Sequence, residues 1–254
     1  MPELDALLED LAAEVDDLDA VLARLSDDKW ARPTPAEGWT VSDQVAHLWQ
    51  GERLAALAAT DADAFAAELA RLLADLDAVE ADTKRLAGAA PGDLRRAWRA
   101  SVDDTIAAVR RHGDDRIAWV TGPMRAASFV TARLMETWAH GRDVADAVGA
   151  RIAPTERLRH VADLGVRTRA FAFRNRGLEA PATDVRVELD GSTWGPVDAP
   201  DRVRGSVEDF CLVVTQRRHW RDTALEVSGP TAAAWLDIAQ CFAGPPTEAR
   251  RLVS

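Results

Sequence analysis

Glu136 and His140 are the residues of this chain whose types and spacing point most directly to chemistry. They stand four residues apart in a segment with helical periodicity, and side chains four apart project from the same face of an α-helix. A carboxylate and an imidazole in this arrangement can hold one metal ion. If His47, on another helix, faces them, the set becomes two imidazoles and one carboxylate, which suits Zn²⁺ with an open fourth position for catalysis or substrate binding.

A solvated helix pair is the alternative interpretation of Glu136 and His140, because this spacing is also common on helix surfaces. The neighbouring sequence favours the metal, since much of the same helix is apolar. The residues concerned are Thr131, Leu134, Met135, Trp138 and Val144. A carboxylate buried beside an imidazole needs compensation, and a cation provides it.

The elements that must position these side chains form a predicted helical bundle. Apolar residues at intervals of three and four predict a first helix over residues 4–26. A second helix is predicted over residues 41–59, because Thr40 and Asp43 have the spacing of a capping box, and His47 would lie about two turns inside it. Three further helices are predicted over residues 63–86, 93–111 and 125–148.

The C-terminal part of the chain changes from helical to mixed patterning. Alternation of apolar and polar residues over 184–190, followed by Gly191 and Ser192, predicts a strand and a hairpin. The remaining predicted elements are helices over 155–175, 206–218 and 231–242 and a strand over 224–227. The predicted fold is α+β and mainly α, with a helical bundle at residues 1–152 and a smaller α/β domain at residues 153–254.

Composition excludes several classes of function. The chain has 254 residues with 31 Lys+Arg against 42 Asp+Glu, a formal net charge of −11, which argues against a nucleic acid or an anionic membrane as partner. Its N-terminus lacks the basic and apolar segments of a signal peptide, and two Cys make no disulfide framework. We therefore expect a cytoplasmic protein. Glycine-rich phosphate loops, Gly-x-Ser-x-Gly, Cys-x-x-Cys and His-Glu-x-x-His motifs are absent from the sequence.

Two segments carry a family resemblance. Residues 38–48, which read Gly-Trp-Thr-Val-Ser-Asp-Gln-Val-Ala-His-Leu, and residues 136–145, which read Glu-Thr-Trp-Ala-His-Gly-Arg-Asp-Val-Ala, resemble the metal-binding N-terminal domain of the mycothiol-dependent maleylpyruvate isomerase family of actinobacterial type. That family belongs to the wider DinB-like four-helix superfamily, and the resemblance extends over residues 5–148. It implies that His47, Glu136 and His140 are ligands of a divalent metal, with zinc as the expected ion.

The resemblance is looser at residues 205–217 of the C-terminal domain. Arg217 falls where the family places a functional arginine, although Gln216 stands where the family usually has Gly and Thr215 where Trp is common. On a helix over 206–218, adjacent residues point about 100° apart, so only one of Arg217 and Arg218 could face a cleft. The alternative role of Arg217 is an exposed cation favoured by the dipole at a helix end.

The combined interpretation is a zinc-binding enzyme that activates a low-molecular-weight thiol, in the first place mycothiol. The thiol would be transferred to a small electrophile or would serve the isomerisation of that electrophile. Arg217 would anchor a substrate carboxylate or the thiol. The active site would be the cleft between the domains. The expected partners are this thiol and the electrophilic substrate, with no nucleic acid and no membrane. Two alternatives stay open: a zinc hydrolase that activates water, and a non-catalytic metal- or small-molecule-binding protein.

Overall fold

The computed structural model of the chain describes residues 4–250, apart from the side chain of Leu76. The chain divides into two compact units, and the boundary between them in the sequence lies between Ala153 and Pro154. The first unit consists of helices and one short ribbon, whereas the second combines helices with a four-stranded sheet. The fold is therefore α+β and mainly α, as predicted.

The first unit contains seven helices and two short strands within its described residues. They are α1 (Leu4–Leu22), α2 (Asp27–Trp30), α3 (Val41–Thr60), α4 (Ala62–Ala74), α5 (Leu76–Ala87), α6 (Pro91–His112), β1 (Arg116–Ile117), β2 (Met124–Arg125) and α7 (Ala126–Val148). β1 and β2 pair antiparallel in a ribbon that leads into α7. Among these elements no helix is long and apolar enough to span a membrane.

Helices α1, α3, α6 and α7 form the predicted four-helix bundle. Helix α3 packs against α6 and α7, and α1 packs against the same two helices. The buried side of α1 follows the predicted stripe, and its apolar members are Leu7, Leu8, Leu11, Val15, Leu18 and Leu22. Because intervals of three and four keep one helix face turned inward, this stripe stabilises the bundle by burying apolar area along the whole helix.

The helix predicted over residues 63–86 is wrong as a single element, because Asp75 divides it into α4 and α5. The backbone of Asp75 leaves the helical conformation, and its carboxylate accepts a hydrogen bond from the Ala78 N–H at 2.9 Å. An aspartate at this position ends one helix and caps the next. The run of Ala and Leu on both sides of Asp75 conceals this break in the sequence pattern.

The second unit contains four strands, four α-helices and one 3₁₀ turn within residues 154–250. The elements are α8 (Leu158–Arg167), α9 (Arg169–Asn175), β3 (Val185–Leu189), β4 (Ser192–Trp194), β5 (Asp201–Gly205), α10 (Val207–Val214), the 3₁₀ turn (Trp220–Asp222), β6 (Glu226–Ser228) and α11 (Pro230–Leu236). The sheet order is β4-β3-β5-β6. Strands β3 and β5 run parallel, and the two outer pairs are antiparallel.

The second unit departs from the predictions at four places, of which one is the helix predicted over 231–242, which ends at Leu236. The helix predicted over 155–175 is interrupted at Thr168, whose hydroxyl donates to the Leu164 carbonyl at 2.8 Å and whose backbone leaves the helical region. Strand β5, which pairs with β3 in the middle of the sheet, was not predicted. The helix predicted over 206–218 ends at Val214, and this early end changes the setting of Arg217.

Candidate metal centre

His47, Glu136 and His140 lie together in the four-helix bundle. His47 projects from α3, and the other two project from α7. One ligand atom from each of the three side chains lies within 4.8 Å of the others. The centroids of the two imidazole rings are 4.6 Å apart. The expectation that α3 and α7 bring these three residues together therefore agrees with the geometry.

The position of His47 depends on how α3 begins. Thr40 and Asp43 form the predicted capping box, in which the Thr40 N–H donates to Asp43 Oδ2 at 2.7 Å and the Asp43 N–H donates to Thr40 Oγ1 at 3.3 Å. Lys84 of α5 lies 3.1 Å from the same carboxylate. These contacts fix the first turn of α3, and His47 follows inside the helix at a position set by the helical repeat.

Glu136 is held in its ionised form by its surroundings. Burial raises the pKa of the Glu136 carboxyl, but the hydrogen bond from His140 and the positive charges of His140, Arg133 and His47 outweigh burial and lower the pKa to about 2. His140 Nε2 lies 3.2 Å from Glu136 Oε2, and the two side chains are only 12% and 22% exposed. The centre thus presents a carboxylate anion in a partly dehydrated setting, where a cation is favoured.

Sequence reasoning did not identify two neighbours of this centre. The Trp39 ring lies 5.2 Å from the His47 ring and stacks on His140 at 6.1 Å. Arg133, one turn before Glu136, forms a buried ion pair with Glu52 at 2.9 Å, the two side chains being 7% and 0% exposed. The place of Trp39 could have been inferred from the sequence, since this residue directly precedes the N-cap of α3. The pairing of Arg133 and Glu52 could not, because it depends on how α3 packs against α7.

Gly51 makes room for this buried ion pair. A Cβ atom at Gly51 would lie 2.9 Å from Arg133 Nη2 and 3.4 Å from Arg133 Cζ. Arg133 also lies over the Trp119 ring, 6.0 Å from its centroid. A glycine on α3 therefore lets a guanidinium pack inside the bundle close to the candidate centre, where it adds positive charge near Glu136.

Arg217 belongs to the second unit and does not lie on a helix. After α10 ends, Gln216 takes a positive φ of 61°. The Gln216 N–H donates to the Val213 carbonyl at 2.9 Å and the Arg217 N–H to the Leu212 carbonyl at 2.8 Å, the two bonds of a Schellman turn. The argument that Arg217 and Arg218 point 100° apart along one helix is therefore wrong. Gln216 occupies the position that such turns usually give to glycine, which accounts for the departure noted in the sequence.

The alternative of an exposed helix-end cation is also wrong for Arg217. This residue is only 8% exposed. Its Nη1 donates to the Thr215 carbonyl at 2.9 Å, and the Thr215 hydroxyl in turn donates to the Cys211 carbonyl at 2.7 Å. The turn therefore holds the Arg217 guanidinium against the end of α10.

The donor set at the candidate centre fits a divalent metal. Two imidazole nitrogens and one carboxylate oxygen are ligands that Zn²⁺ accepts at a tetrahedral site with one position left for an exchangeable group. Imidazole also suits other transition metals. An ionised Glu136 between two histidines would compensate much of the charge of such an ion. The described residues thus bring together three side chains that could hold a divalent metal ion.

Comparison with protein families identifies the first unit. The family model described as the mycothiol maleylpyruvate isomerase N-terminal domain matches residues 11–145, more than half of the chain. The chain belongs to this family. The match contains all three residues of the candidate centre and confirms the resemblance carried by residues 38–48 and 136–145.

Two similar proteins match almost the whole chain. They are uncharacterized proteins of Mycobacterium tuberculosis, from strains CDC 1551 / Oshkosh and ATCC 25618 / H37Rv, and each is 47% identical over 248 residues, 95% of this chain and 96% of the relative. This member of the mycothiol maleylpyruvate isomerase family therefore shares both of its units with these proteins.

Two solved structures share the fold. A crystal structure of the mycothiol-dependent maleylpyruvate isomerase matches with a TM-score of 0.60 at 16% sequence identity, covering 99% of this chain and 97% of that chain. A histidine-to-alanine mutant of that isomerase matches with a TM-score of 0.61 over the same shares of both chains. At 16% identity, this likeness shows that the chain has the same fold as these structures.

Proposed function

We propose that this chain is a metal-dependent enzyme that activates a low-molecular-weight thiol, in the first place mycothiol. The thiol is transferred to a small electrophile or serves its isomerisation. The observation that carries the proposal is the cluster of His47, Glu136 and His140, whose ligand atoms lie within 4.8 Å of one another. Membership of the mycothiol maleylpyruvate isomerase family supports the choice of thiol.

The three side chains hold the ion, and zinc is the proposed metal. A bound Zn²⁺ supplies the positive charge that lets a thiol lose its proton near neutral pH, and the thiolate is the nucleophile. His47 and His140 act as neutral donors, whereas Glu136 provides the anionic one. The Trp39 ring packs beside both imidazoles and provides an apolar wall that limits water on that side of the ligands.

Arg217 is the proposed anion-binding residue. A guanidinium binds a carboxylate through two parallel hydrogen bonds, which positions it as well as attracting it. The Schellman turn at Gln216 fixes the Arg217 backbone, so the side chain starts from a defined point. The proposed role is to hold a carboxylate of the electrophile or of the thiol. We place this chemistry in the cytoplasm, where thiols are kept reduced.

Thiol binding to a Co²⁺-substituted protein tests the proposal. Adding mycothiol should produce a sulfur-to-cobalt charge-transfer band, because the thiolate becomes a ligand at the open position. The S-methylated thiol is the matched control, since it lacks the ionisable group, and His140→Ala protein loaded with the same cobalt is the second. Neither control should develop the band.

Product analysis then separates the proposal from its alternatives. Maleylpyruvate, the substrate named for the structural neighbours, is the first electrophile to assay, with and without mycothiol. Turnover that requires the thiol supports the proposal. Hydrolysis without thiol would favour the hydrolase, whereas a metal-loaded protein with neither thiol binding nor turnover would favour the non-catalytic binding protein.

A further inference from the structure

We infer that Gln44 is a positioning residue for the metal centre: it fixes the proton of His140 on Nδ1 and thereby leaves Nε2 as the ligand atom. This inference rests on the proposed function. Gln44 is fully buried on α3, one turn before His47. Its Oε1 lies 2.5 Å from His140 Nδ1 on α7.

The hydrogen bonds of Gln44 continue into the loop before α3. Gln44 Nε2 donates to Thr34 Oγ1 at 2.8 Å, and the Thr34 hydroxyl donates to the Trp39 carbonyl at 2.9 Å. Trp39, Thr34, Gln44 and His140 therefore form one chain of hydrogen bonds. It begins at a backbone carbonyl and ends at an imidazole of the candidate centre.

The direction of this chain is fixed at the Trp39 end. A carbonyl oxygen can only accept, so the Thr34 hydroxyl must give its proton to it. Thr34 Oγ1 then accepts from Gln44, which requires the amide nitrogen of Gln44 on that side and its oxygen on the side of His140. An amide oxygen can only accept, and Nδ1 of His140 must therefore carry a hydrogen. This conclusion holds for the neutral ring and for the imidazolium.

The other nitrogen of His140 faces the metal centre. Nε2 lies 3.2 Å from Glu136 Oε2, the carboxylate of the same ligand set. Without an ion, Nε2 donates a hydrogen bond to Glu136; because the other proton is held on Nδ1, the proton on Nε2 is the one that a metal would replace. A metal-bound histidine is commonly oriented by a hydrogen bond from its other nitrogen, and loss of that partner costs about 10- to 100-fold in metal affinity.

The Trp39 carbonyl is itself held in place, so the chain has a fixed origin. It also accepts from the Thr34 N–H at 2.8 Å, and the Val41 N–H donates to the Arg32 carbonyl at 3.1 Å. Lys84 of α5 donates to the neighbouring Gly38 carbonyl at 2.6 Å. The loop over residues 32–40 thus fixes an atom that orients a histidine of α7, and this gives the loop a role beyond capping α3.

Metal affinity of Gln44 variants tests the inference. Gln44→Leu removes the acceptor and should weaken Zn²⁺ binding by about 10- to 100-fold in a chelator competition. Gln44→Glu keeps an oxygen that accepts from Nδ1 and should restore most of the affinity. Gln50→Leu is the matched control, because Gln50 also lies on α3 but bonds two side chains of α5, Asp82 and Thr83. It should bind zinc like the wild type.

A second measurement reads the tautomer without metal. In protein labelled with ¹⁵N at its five histidines, the His140 signals are identified by their loss in His140→Ala. Wild-type protein with a neutral ring should show the proton on Nδ1, and Gln44→Leu should show a shifted tautomer ratio. Thermal unfolding of each variant separates a local effect from misfolding.

The outcomes distinguish this inference from the proposed function. Wild-type protein that binds no divalent ion would overturn the proposed function, whatever the tautomer. Wild-type protein that binds zinc, with Gln44→Leu binding equally well, would overturn the role of Gln44. A His140 ring that lacks a proton on Nδ1 in the wild type would overturn the hydrogen-bond chain itself.

Discussion

The two units hold their candidate functional residues in different ways. In the first unit, His47, Glu136 and His140 come from the interiors of two long helices, where the helical repeat fixes the direction of each side chain. In the second unit, Arg217 comes from a turn after the short helix α10. The difference teaches that spacing in sequence is a reliable guide to geometry only where one helix runs unbroken through the residues concerned.

Removing a histidine ligand should have the largest effect on the first of these regions. We expect His47→Ala or His140→Ala to reduce the divalent metal that copurifies with the protein from about one ion per chain to background, because only two ligands would remain. Elemental analysis of protein purified without added metal measures this content. His112→Ala, at the end of α6, is the control and should keep its metal.

Stoichiometric metal in both His47→Ala and His140→Ala would contradict the ligand assignment. The difference between the two units would then not hold, because the long helices would have brought together three residues that do not share a metal ion. The cluster would remain a packing arrangement of two rings and a carboxylate in the bundle.

Glu136 offers a sharper test of the same region. We expect Glu136→Gln to weaken metal binding more than Glu136→Asp, because Gln keeps the shape but loses the charge, whereas Asp keeps the charge at shorter reach. The loss in the Gln variant should exceed the roughly 10- to 100-fold that removal of an orienting hydrogen-bond partner costs. Chelator competition on both variants gives the two affinities, and an unchanged value for Glu136→Gln would show a helix ion pair instead of a ligand.

Much of the first unit follows from local sequence signals. The capping box of Thr40 and Asp43 predicts where α3 begins, and the i, i+4 spacing on α7 predicts that Glu136 and His140 share a face. The break at Asp75 was concealed because the residues on both sides favour helix, and only the cap to Ala78 shows it. Buried partners such as Glu52 and Arg133 depend on packing between helices, which no local pattern encodes.

The second unit was harder to predict because distant residues decide its local structure. The residues from Thr215 to Arg218 contain no glycine or proline, yet the helix ends at Val214. The side chain of Gln216 donates to the carbonyls of Ala239 and Thr247, each at 3.0 Å. These contacts join residues more than twenty positions apart. They stabilise a turn that the local sequence from 206 to 218 does not predict.

Exchanging Arg217 for lysine should separate positioning from charge in the second region. We expect Arg217→Lys to keep its metal but to lose about 10- to 100-fold in kcat/KM, since a hydrogen bond to a charged group is worth about 1.5–3 kcal/mol. The matched control is Arg218→Lys, whose side chain donates to the Arg217 carbonyl at 2.9 Å. An effect confined to Arg218→Lys would show that Arg218, and not Arg217, is the functional arginine. No effect in either variant would assign catalysis to the bundle alone.

The smallest expected effect concerns Gln216, and it tests how the turn before Arg217 is held. The φ of 61° at Gln216 costs a residue with a side chain about 1 kcal/mol relative to glycine. Its side chain offsets that cost through the bonds to Ala239 and Thr247, each contributing about 0.5–1.5 kcal/mol. Gln216→Gly should therefore lower the free energy of unfolding by about 1 kcal/mol, since the lost bonds outweigh the relieved strain.

Gln216→Ala is the variant that divides these two contributions. It loses the same hydrogen bonds but keeps the strain, so it should be less stable than Gln216→Gly by about 1 kcal/mol. Urea unfolding of the three proteins measures both differences. A Gln216→Gly protein more stable than the wild type would mean that the side chain of Gln216 does not hold the turn, and that the family's usual glycine is the better residue there. If instead stability decreases from the wild type to Gln216→Gly to Gln216→Ala, the contacts of Gln216 with Ala239 and Thr247 stabilise the turn in place of the conformational freedom of a glycine. These contacts then also hold Arg217 in its position in the turn.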